Sequence, residues 1–370
     1  MMRSEPFEIF LAAPPGLESV LAEEAREQGF GPATVLPGGV SFMGRWPEVW
    51  RANLVLRGAG RVLARIGAFR AFHLAQLDKR AHKFDWAAHL RPDVPLRIDV
   101  TCRKSKIYHA GAATERIARA ITETLGAPVT DEAKLRLMAR IEDDLVTFSL
   151  DTSGEPLHRR GYKEAVGKAP LRETLAALFL RQCGYDGQMP VLDPMCGSGS
   201  FVIEAAERAA GLHPGRARRF AFEDLAGFDE RAWQTLRHGP PRCATPLRFL
   251  GFDRDAGAVR GAAANAARAG VDALTQFTVA PISALGRPDG PSGLVMVNPP
   301  YGTRIGERKL LFGLYGALGE VLKREMRGWR VGLVTSDSGL ANATGLPFLP
   351  AGSPVAHGGL KVTLWRTDPL

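Results

Sequence analysis

The chain has 370 residues, of which 45% are hydrophobic and 24% charged, a composition typical of a globular protein with more than one domain. No apolar run approaches the length of a membrane span, and Glu5, Pro6 and Glu8 stand where the apolar part of a signal peptide would lie, so we expect no membrane partner and a cytoplasmic protein. The four cysteines are far apart and form no C-x-x-C pair, which argues against a disulfide framework and a zinc site. We therefore expect no metal.

The net charge of +9 is concentrated in one segment. Residues 51–110 contain thirteen lysines or arginines and four acids, whereas the rest of the chain contains 35 of each. Excess positive charge in one segment is typical of a polyanion contact, and a phosphate backbone is the commonest such partner. A solvated arginine-rich surface is the alternative interpretation.

Short strands and amphipathic helices alternate through the first 155 residues. Residues 7–13 ("FEIFLAA"), 95–102 and 144–151 predict strands, and the helical spacing of residues 114–125 ends at Gly126, which suits a left-handed helix terminus. Residues 151–168 have little periodicity, several glycines and a basic centre, so they predict a linker. The first half is therefore predicted to be an α+β module.

After residue 168 the pattern changes to strand, glycine turn and helix, repeated. This order predicts an α/β fold of the Rossmann-like kind, with parallel strands joined by crossover helices, here near 171–179, 255–268 and 310–322. Several strands have near-continuous apolar centres, as strands covered on both faces require. The six predicted strands are "MPVLDPM", "LRFLGFDRD", "TQFTVA", "GLVMVNPP", "RVGLVTSD" and "KVTLWRT".

The first polar cluster at a strand end is "VLDPMCGSGSFVIEAA". Asp193 closes a strand, and Gly197 and Gly199 form a tight turn before a helix. Ligands of doubly wound sheets bind beyond the carboxyl ends of the strands, and a glycine turn lets backbone N–H groups approach a ligand closely. A nicotinamide dinucleotide would require a third glycine where Val202 stands, so a dehydrogenase is disfavoured. A purely structural turn is the alternative.

The second cluster is "GFDRD", one strand later. Asp253 can accept hydrogen bonds from a ribose diol, although a helix cap is a serious competing role. Asp255 falls in the first helical turn, where a carboxylate favours the helix dipole, and is interpreted as a cap.

The third cluster, "VMVNPPYG", drives an apolar strand into an amide, two prolines and an aromatic residue. An exocyclic amine of a nucleobase is a poor nucleophile, and two acceptors placed against its N–H bonds would aim its lone pair at an electrophile. The side-chain oxygen of Asn298 and the carbonyl of Pro299 can be those acceptors, and Tyr301 offers a face for stacking with space left by Gly302. A Pro-Pro turn that only caps the strand is the alternative.

In this order, the three clusters resemble the class I S-adenosylmethionine-dependent methyltransferases that act on exocyclic amines. Residues 51–57, 103–121 and 157–180 extend the resemblance to the THUMP-domain-containing RNA guanine-N2 methyltransferases of the RlmL type, over nearly the whole chain. The resemblance implies S-adenosylmethionine as cofactor and the N2 amine of a guanosine in RNA as acceptor, with 23S ribosomal RNA favoured over transfer RNA. The domains it implies are a ferredoxin-like part (1–50), a THUMP RNA-binding domain (51–155), a linker (156–168) and a Rossmann-like methyltransferase domain (169–370).

The same resemblance assigns roles to individual residues. The cofactor would be bound by Asp193, Pro194, Cys196, Gly197, Gly199 and Asp253, with Pro170, Glu173 and Thr174 beside it. The target guanine would be held by Asn298, Pro299, Pro300 and Tyr301, and RNA would be contacted by Arg103, Lys104, Lys106, Arg159, Arg160 and Tyr162.

One position departs from the family pattern. Relatives carry an acid near the end of the third strand of this domain to meet the adenine amine, and Pro281 stands there in this chain. Two alternatives stay open: a methyltransferase acting on DNA adenine or on protein glutamine, which would not need the first half, and a non-catalytic RNA-binding or assembly factor. The sequence does not predict the oligomeric state.

Overall fold

A computed structural model describes residues 5–164, 171–239, 243–301 and 308–370. The chain divides into two compact units. One comprises Met1–Ala13, Ala22–Leu157 and Ala217–Gly239, and the other comprises Pro14–Leu21, His158–Arg216 and Pro240–Leu370. Pro170, Gly302 and the linker residues 165–168 lie outside the described residues.

The first unit is built on a seven-stranded sheet. Its strands lie in the order β2-β3-β1-β4-β7-β6-β5, and the neighbouring strands are antiparallel except for β5 and β6. The elements of this half, of which α1 is divided between the two units after Leu21, are β1 (Phe7–Ala12), α1 (Glu18–Glu27), β2 (Thr34–Leu36), β3 (Gly39–Gly44), α2 (Trp46–Val55), β4 (Arg61–Arg70), α3 (Leu74–His82), β5 (Leu96–Arg103), α4 (Ala110–Leu125), β6 (Leu135–Glu142) and β7 (Leu145–Asp151).

Local sequence explains the strands and turns of this unit. β6 alternates between buried and less buried residues because one face of the sheet packs on the core. α4 ends at Gly126 with φ of 81°, so the predicted left-handed terminus is confirmed. The residues of β2, β3, β4 and β6 were not predicted as strands.

The second unit carries the α/β fold predicted from the sequence. Its sheet has the order β10-β9-β8-β11-β12-β14-β13, parallel from β10 to β12, with β14 antiparallel to β12 and β13 antiparallel to β14. Its elements, with α7 belonging to the first unit, are α5 (Glu173–Gln182), β8 (Val191–Asp193), α6 (Ser200–Ala209), α7 (Glu230–Arg237), β9 (Phe249–Asp253), α8 (Ala256–Ala269), β10 (Thr275–Val279), β11 (Leu294–Val297), α9 (Arg308–Glu325), β12 (Arg330–Thr335), α10 (Ser338–Ala343), β13 (Val355–His357) and β14 (Leu360–Arg366).

The strand order places the point of topological reversal between β8 and β11. The chain leaves β8 toward β9 and β10 on one side, then crosses back to β11 on the other side. All four residues of β11 are buried, which explains the continuous apolar run of its sequence. In open α/β sheets ligands bind beyond the strand ends at such a reversal, so the loops after β8 and β11 are the candidate site.

Among the described residues, none of the helices combines the length and the apolar character required to cross a lipid bilayer.

Candidate active site

The loop after β8 is shaped by two glycines in the left-handed region. Gly197 has φ of 50° and Gly199 has φ of 82°, a conformation that side chains other than glycine rarely adopt. A Cβ atom on Gly199 would lie 3.2 Å from Ala262, Ile203 and Phe277, whereas a Cβ atom on Gly197 would meet nothing within 4 Å. Gly199 is therefore needed for packing, and Gly197 faces open space where a ligand can approach the backbone.

Asp193 is a buried acid at the start of this loop. Its Oδ1 accepts a hydrogen bond from the backbone N of Met195 at 3.0 Å. Burial, together with the neighbouring charge of Asp253, raises the pKa of Asp193 to about 8. The site thus contains a carboxyl group that a cationic ligand would convert to the charged form.

Asp253 lies at the end of β9 and braces the glycine loop. Its Oδ2 accepts from the backbone N of Gly197 at 3.0 Å, and its Oδ1 accepts from the backbone N of Asp255 at 3.0 Å. Asp255 is the N-cap of α8 and accepts from Gly257 and Ala258, so its predicted role as a cap is confirmed. Asp253 is half-buried and connects the ends of two neighbouring strands.

Pro194 and Cys196 are buried in the same loop. The backbone N of Cys196 donates to the carbonyl of Phe252 at 2.8 Å, which holds the loop against β9. Burial raises the pKa of the Cys196 thiol well above its usual range, so the group is not a thiolate nucleophile. The buried thiol is instead suited to packing in this loop.

The loop after β11 presents an unsatisfied acceptor. Asn298 Oδ1 is buried and accepts no hydrogen bond from the described part of the chain. A buried acceptor without a donor costs about 1–3 kcal/mol, a cost that a ligand with N–H groups would remove. Pro299 is buried and Pro300 is exposed.

Tyr301 and Tyr315 support this second loop. Tyr301 is half-buried against the apolar cluster of the second unit, and burial raises the pKa of its phenol. Tyr315 of α9 has its hydroxyl 3.4 Å from the Pro300 carbonyl and 3.3 Å from Thr335 Oγ1. Tyr315 was not predicted from the sequence, where it appears as one apolar position of a helix.

The two loops lie side by side because β8 and β11 are paired. Val295 lies opposite Leu192 in the parallel register, so Asn298 comes two residues beyond the position opposite Asp193. The spacing of neighbouring strands and of residues along a strand places these two Cα atoms roughly 8 Å apart. A small ligand can therefore contact both loops at once.

The helix α5 contributes buried polar residues. Glu173 and Thr174 are both buried at its start, and Glu173 Oε1 lies 3.3 Å from Nζ of Lys163. The same Nζ donates to Ser200 Oγ, the first residue of α6 after the glycine turn, at 2.7 Å. Glu173 is thus connected to the glycine loop through Lys163, a residue that the sequence interpretation did not include in the site.

Two of the predicted RNA-contacting residues are corrected by the structure. Arg160 is buried and forms ion pairs with Glu204 and Glu207 of α6. Tyr162 is buried as well, and burial raises the pKa of its phenol well above the usual range. These two side chains are not available to RNA in this fold, because they pack into the second unit instead of facing solvent.

The other predicted RNA-contacting residues are exposed. Arg103 ends β5, Lys104 and Lys106 follow it on the surface of the first unit, and Arg159 is exposed on the second. Lys104 has φ of 47°, a left-handed conformation, in a turn that places Lys106 Nζ 5.1 Å from the centre of the Phe72 ring. Pro281 precedes a short 3₁₀ turn after β10, as the sequence order suggested, and supplies no acid there.

Two family profiles match the chain. One is described as an RMKL-like methyltransferase domain and matches residues 160–347, and the other is described as an RlmL ferredoxin-like domain and matches residues 8–63.

Individual relatives cover nearly the whole chain. The ribosomal RNA large subunit methyltransferase K/L of Syntrophotalea carbinolica is 36% identical over 361 residues, which are 92% of this chain and 51% of that protein. A candidate RNA methyltransferase of Synechocystis sp., slr0064, is 30% identical over 365 residues, 95% of this chain and 94% of that protein. The crystal structure of SMU.472 complexed with SAH has a TM-score of 0.88 with 26% identity and covers 100% of this chain and 99% of that one.

The chain spans about half the length of the K/L methyltransferases it matches. The ferredoxin-like profile lies in the first unit apart from Pro14–Leu21, which belongs to the second unit, and the methyltransferase profile begins just after the unit boundary at Leu157. The chain therefore belongs to the family of proteins with an RMKL-like methyltransferase domain.

Proposed function

We propose that this protein is an S-adenosylmethionine-dependent methyltransferase that acts on the exocyclic N2 amine of a guanosine in RNA, with 23S ribosomal RNA as the substrate. The observation that carries the proposal is the buried, unsatisfied Oδ1 of Asn298 beside the Asp193 loop at the point of topological reversal. The relatives named as ribosomal RNA large subunit methyltransferases support the choice of ribosomal RNA over transfer RNA.

The residues of the glycine loop fit the proposed cofactor. S-adenosylmethionine has a sulfonium and an ammonium group, and the buried carboxyl of Asp193 is the kind of group that a cation stabilises in its charged form. Gly197 leaves the backbone accessible, and Asp253 has acceptor oxygens at the end of β9, where a ribose diol is bound in related sheets. The walls of this site would be formed by Pro194, Cys196, Glu173 and Thr174. Pro170 lies outside the described residues, so its place beside the cofactor is proposed from the sequence alone.

The loop after β11 would prepare the acceptor amine. Asn298 Oδ1 and the Pro299 carbonyl accept from the two N–H bonds of the guanine N2 group, and Tyr301 stacks on the base, with Pro300 completing the turn. The cofactor supplies an electrophilic methyl group. With that cofactor bound, the N2 lone pair would form the new N–C bond while the C–S bond breaks with its electrons on sulfur, and the extra proton on nitrogen would leave to water.

An amide cannot serve as a strong base, so the loop acts by positioning and electrostatic stabilisation. The guanine must be unpaired or flipped out of its duplex before Asn298 can reach the N2 group, because base pairing hides that edge. Flipping costs about a few kcal/mol, which contacts between the protein and the rest of the RNA would offset.

The first half of the chain would supply those RNA contacts. We propose that residues 1–50 are a ferredoxin-like part, 51–155 a THUMP domain, 156–168 a linker and 169–370 the methyltransferase domain. Arg103, Lys104, Lys106 and Arg159 are exposed cations suited to phosphate contacts. RNA binding by this half and a cytoplasmic location are parts of the same proposal.

Methylation assays with matched substrates test the proposal. Purified protein and labelled S-adenosylmethionine are incubated with ribosomal RNA, transfer RNA, duplex DNA and a protein release factor, and the methylated base is identified by mass spectrometry. We expect N2-methylguanine in ribosomal RNA alone, at a position that is unmodified in a strain lacking the gene. Methylation of DNA or of the protein substrate would show that the acceptor is not the guanosine N2 amine of RNA. If calorimetry detects no heat of binding with millimolar S-adenosylmethionine, the protein is a non-catalytic RNA-binding protein.

A further inference from the structure

Residues 162–164, here called the linker strap, run across the start of the helix that follows the glycine turn. All three residues belong to the second unit, together with the glycine loop, α6 and α8. The strap lies where sequence patterning predicted a solvated linker, yet Tyr162 is buried and Lys163 is about 10% exposed. Its contacts therefore need an explanation within the fold of this unit.

Lys163 connects three segments through one ammonium group. Its Nζ donates to the backbone carbonyl of Leu171 at 2.8 Å and to Ser200 Oγ at 2.7 Å, and it lies 3.3 Å from Glu173 Oε1. Ser200 Oγ also donates to the Leu171 carbonyl, at 3.2 Å. These contacts join the strap to the segment before α5 and to the first residue of α6.

The strap reaches the other side of the turn through α8. Asn265 is buried, and its Nδ2 donates to the carbonyl of Ser198 at 3.1 Å while its Oδ1 accepts from the backbone N of Glu164 at 3.3 Å. Arg268 Nε donates to the carbonyl of Tyr162 at 2.7 Å. The turn from Ser198 to Ser200 is thus held on both sides by groups bound to the strap.

Helix stability alone does not account for this lysine. A cation in the first turn of a helix opposes the helix dipole, and burial disfavours the charged ammonium, so the position is electrostatically costly for α6 by itself. Glu173 offsets that cost by forming a nearly buried ion pair. A neutral pair of this kind lets Lys163 use its donors on the turn without adding net charge beside a cationic ligand.

We propose that Lys163 is a positioning residue for the cofactor, which holds the turn from Ser198 to Ser200 in its binding conformation through the ion pair with Glu173. This inference rests on the proposed function of the glycine loop. It adds to that function a physical link between the strap and the cofactor site. The backbone N–H groups beside Gly197 and Gly199 belong to this turn. A more mobile turn would hold these groups less often in the conformation that binds the cofactor.

Three variants test the proposal. Lys163→Met removes the donors and keeps the length of the side chain. The double variant Lys163→Met/Glu173→Gln also removes the carboxylate, so that no unpaired charge is buried and folding is retained. Arg216→Met is the matched control, because Arg216 lies in the same unit and anchors α6 through Glu207 Oε1 at 2.5 Å and the carbonyl of Ala269 at 2.7 Å, near the other end of the helix.

Two measurements separate positioning from general stability. Calorimetry gives the Kd for S-adenosylmethionine, and amide hydrogen exchange reports the opening of the turn at Gly199, whose N donates to the Cys196 carbonyl at 2.8 Å. We expect Lys163→Met to raise the Kd about ten-fold, and we expect both Lys163 variants to speed exchange at Gly199. Arg216→Met should lower the Tm without either effect.

Two outcomes would overturn the proposal. One is a parent-like Kd together with parent-like exchange in the double variant. The other is an equal loss of affinity in Arg216→Met, which would show that any destabilisation of this unit weakens binding. Hydrogen exchange is measured on the protein without ligand, so the strap is tested even if the parent chain fails to bind S-adenosylmethionine and the proposed function falls.

Discussion

Two asparagines, one in each unit, have opposite surroundings. Asn53 in the first unit donates from Nδ2 to the Val49 carbonyl at 2.9 Å and to Thr152 Oγ1 at 3.0 Å, and its Oδ1 accepts from Ser153 Oγ at 2.7 Å. Asn298 in the second unit has a buried Oδ1 with no donor among the described residues. The asparagine side chain is thus a fully hydrogen-bonded part of the core at position 53, whereas its oxygen is an unsatisfied acceptor at position 298.

Buried acids show the same difference. Glu24 of the first unit accepts from the backbone N of Arg57 at 2.6 Å and from that of Gly58 at 2.9 Å, one on each carboxylate oxygen. Asp193 of the second unit accepts from Met195 alone within the part of the chain that the structure describes, and burial raises its pKa to about 8. Satisfied polar groups stabilise a fold, whereas unsatisfied ones cost stability and indicate a binding site.

The largest expected effect is on turnover by Asn298→Ala. Loss of a preorganised acceptor lowers kcat by about 100- to 1,000-fold, while the Tm stays at or slightly above the parent value because an unsatisfied buried acceptor is removed. Single-turnover methylation and thermal denaturation measure the two quantities, and RNA affinity serves as the control. A variant that methylates at the parent rate would show that the amine is not held here.

Asn53→Leu should give the reverse pattern. The substitution leaves Thr152 and Ser153 without their buried partner, so we expect a loss of about 3 kcal/mol in the free energy of unfolding. Urea denaturation measures this loss, and the Kd for S-adenosylmethionine should stay within two-fold of the parent. If the stability of Asn53→Leu matched the parent, the contrast between the two asparagines would disappear.

The substitution Asp193→Asn tests the comparison of the two buried acids through the pH dependence of stability. The carboxyl has a higher pKa in the folded chain than in the unfolded chain, so its contribution to stability is largest below about pH 4 and is lost as the pH rises toward about 8. The variant lacks this pH dependence of stability, so the difference between its Tm and the parent Tm should increase between pH 6 and pH 9.

The same variant should bind S-adenosylmethionine at least ten-fold more weakly. A cationic ligand favours the charged carboxylate, so binding to the parent at pH 7 releases a proton that calorimetry in buffers of different ionisation enthalpy can count. Equal proton release by Asp193→Asn would mean that another group responds to the ligand.

The two glycines of the turn also differ in role, since one is expected to serve binding and the other packing, and smaller effects are expected here. Gly197→Ala and Gly199→Ala both place a side chain in the left-handed region, at a cost of roughly 1–2 kcal/mol each. Gly197 faces open space, so its variant should also weaken cofactor binding, while Gly199→Ala should lose additional stability against Ile203 and Phe277. Calorimetry and denaturation on both variants test this division, and equal cofactor affinities would contradict it.

The smallest expected effect concerns the exposed lysines of the first unit. Lys104→Ala/Lys106→Ala should weaken RNA binding uniformly and reduce the slope of log K against log salt by about 1 for each phosphate that the protein no longer neutralises. Binding titrations at several salt concentrations measure the slope. Lys323→Ala, at a partly exposed lysine of α9, is the control, and an equal effect there would remove any special role for the basic segment.

Much of the second unit follows from its sequence. A continuous apolar run such as that of β11 is typical of a strand covered on both faces, and a strand, glycine turn and helix in repetition leave few topologies, since parallel strands need crossover connections. The order of Asp193, Asp253 and Asn298 at the ends of the first, second and fourth strands of this sheet was sufficient to predict one shared edge. β13 was missed because it is a three-residue edge strand with almost no pattern.

The tertiary structure alone decided which polar groups are satisfied. Arg160 and Tyr162 have the composition of a solvated basic cluster, yet they are buried, with Arg160 ion-paired to α6, because the compensating carboxylates lie more than forty residues away in sequence. Lys163 acquired its contacts with Ser200 and Glu173 in the same way. Local sequence determines where strands end and glycines turn, but burial and hydrogen-bond partners depend on segments that only folding brings together.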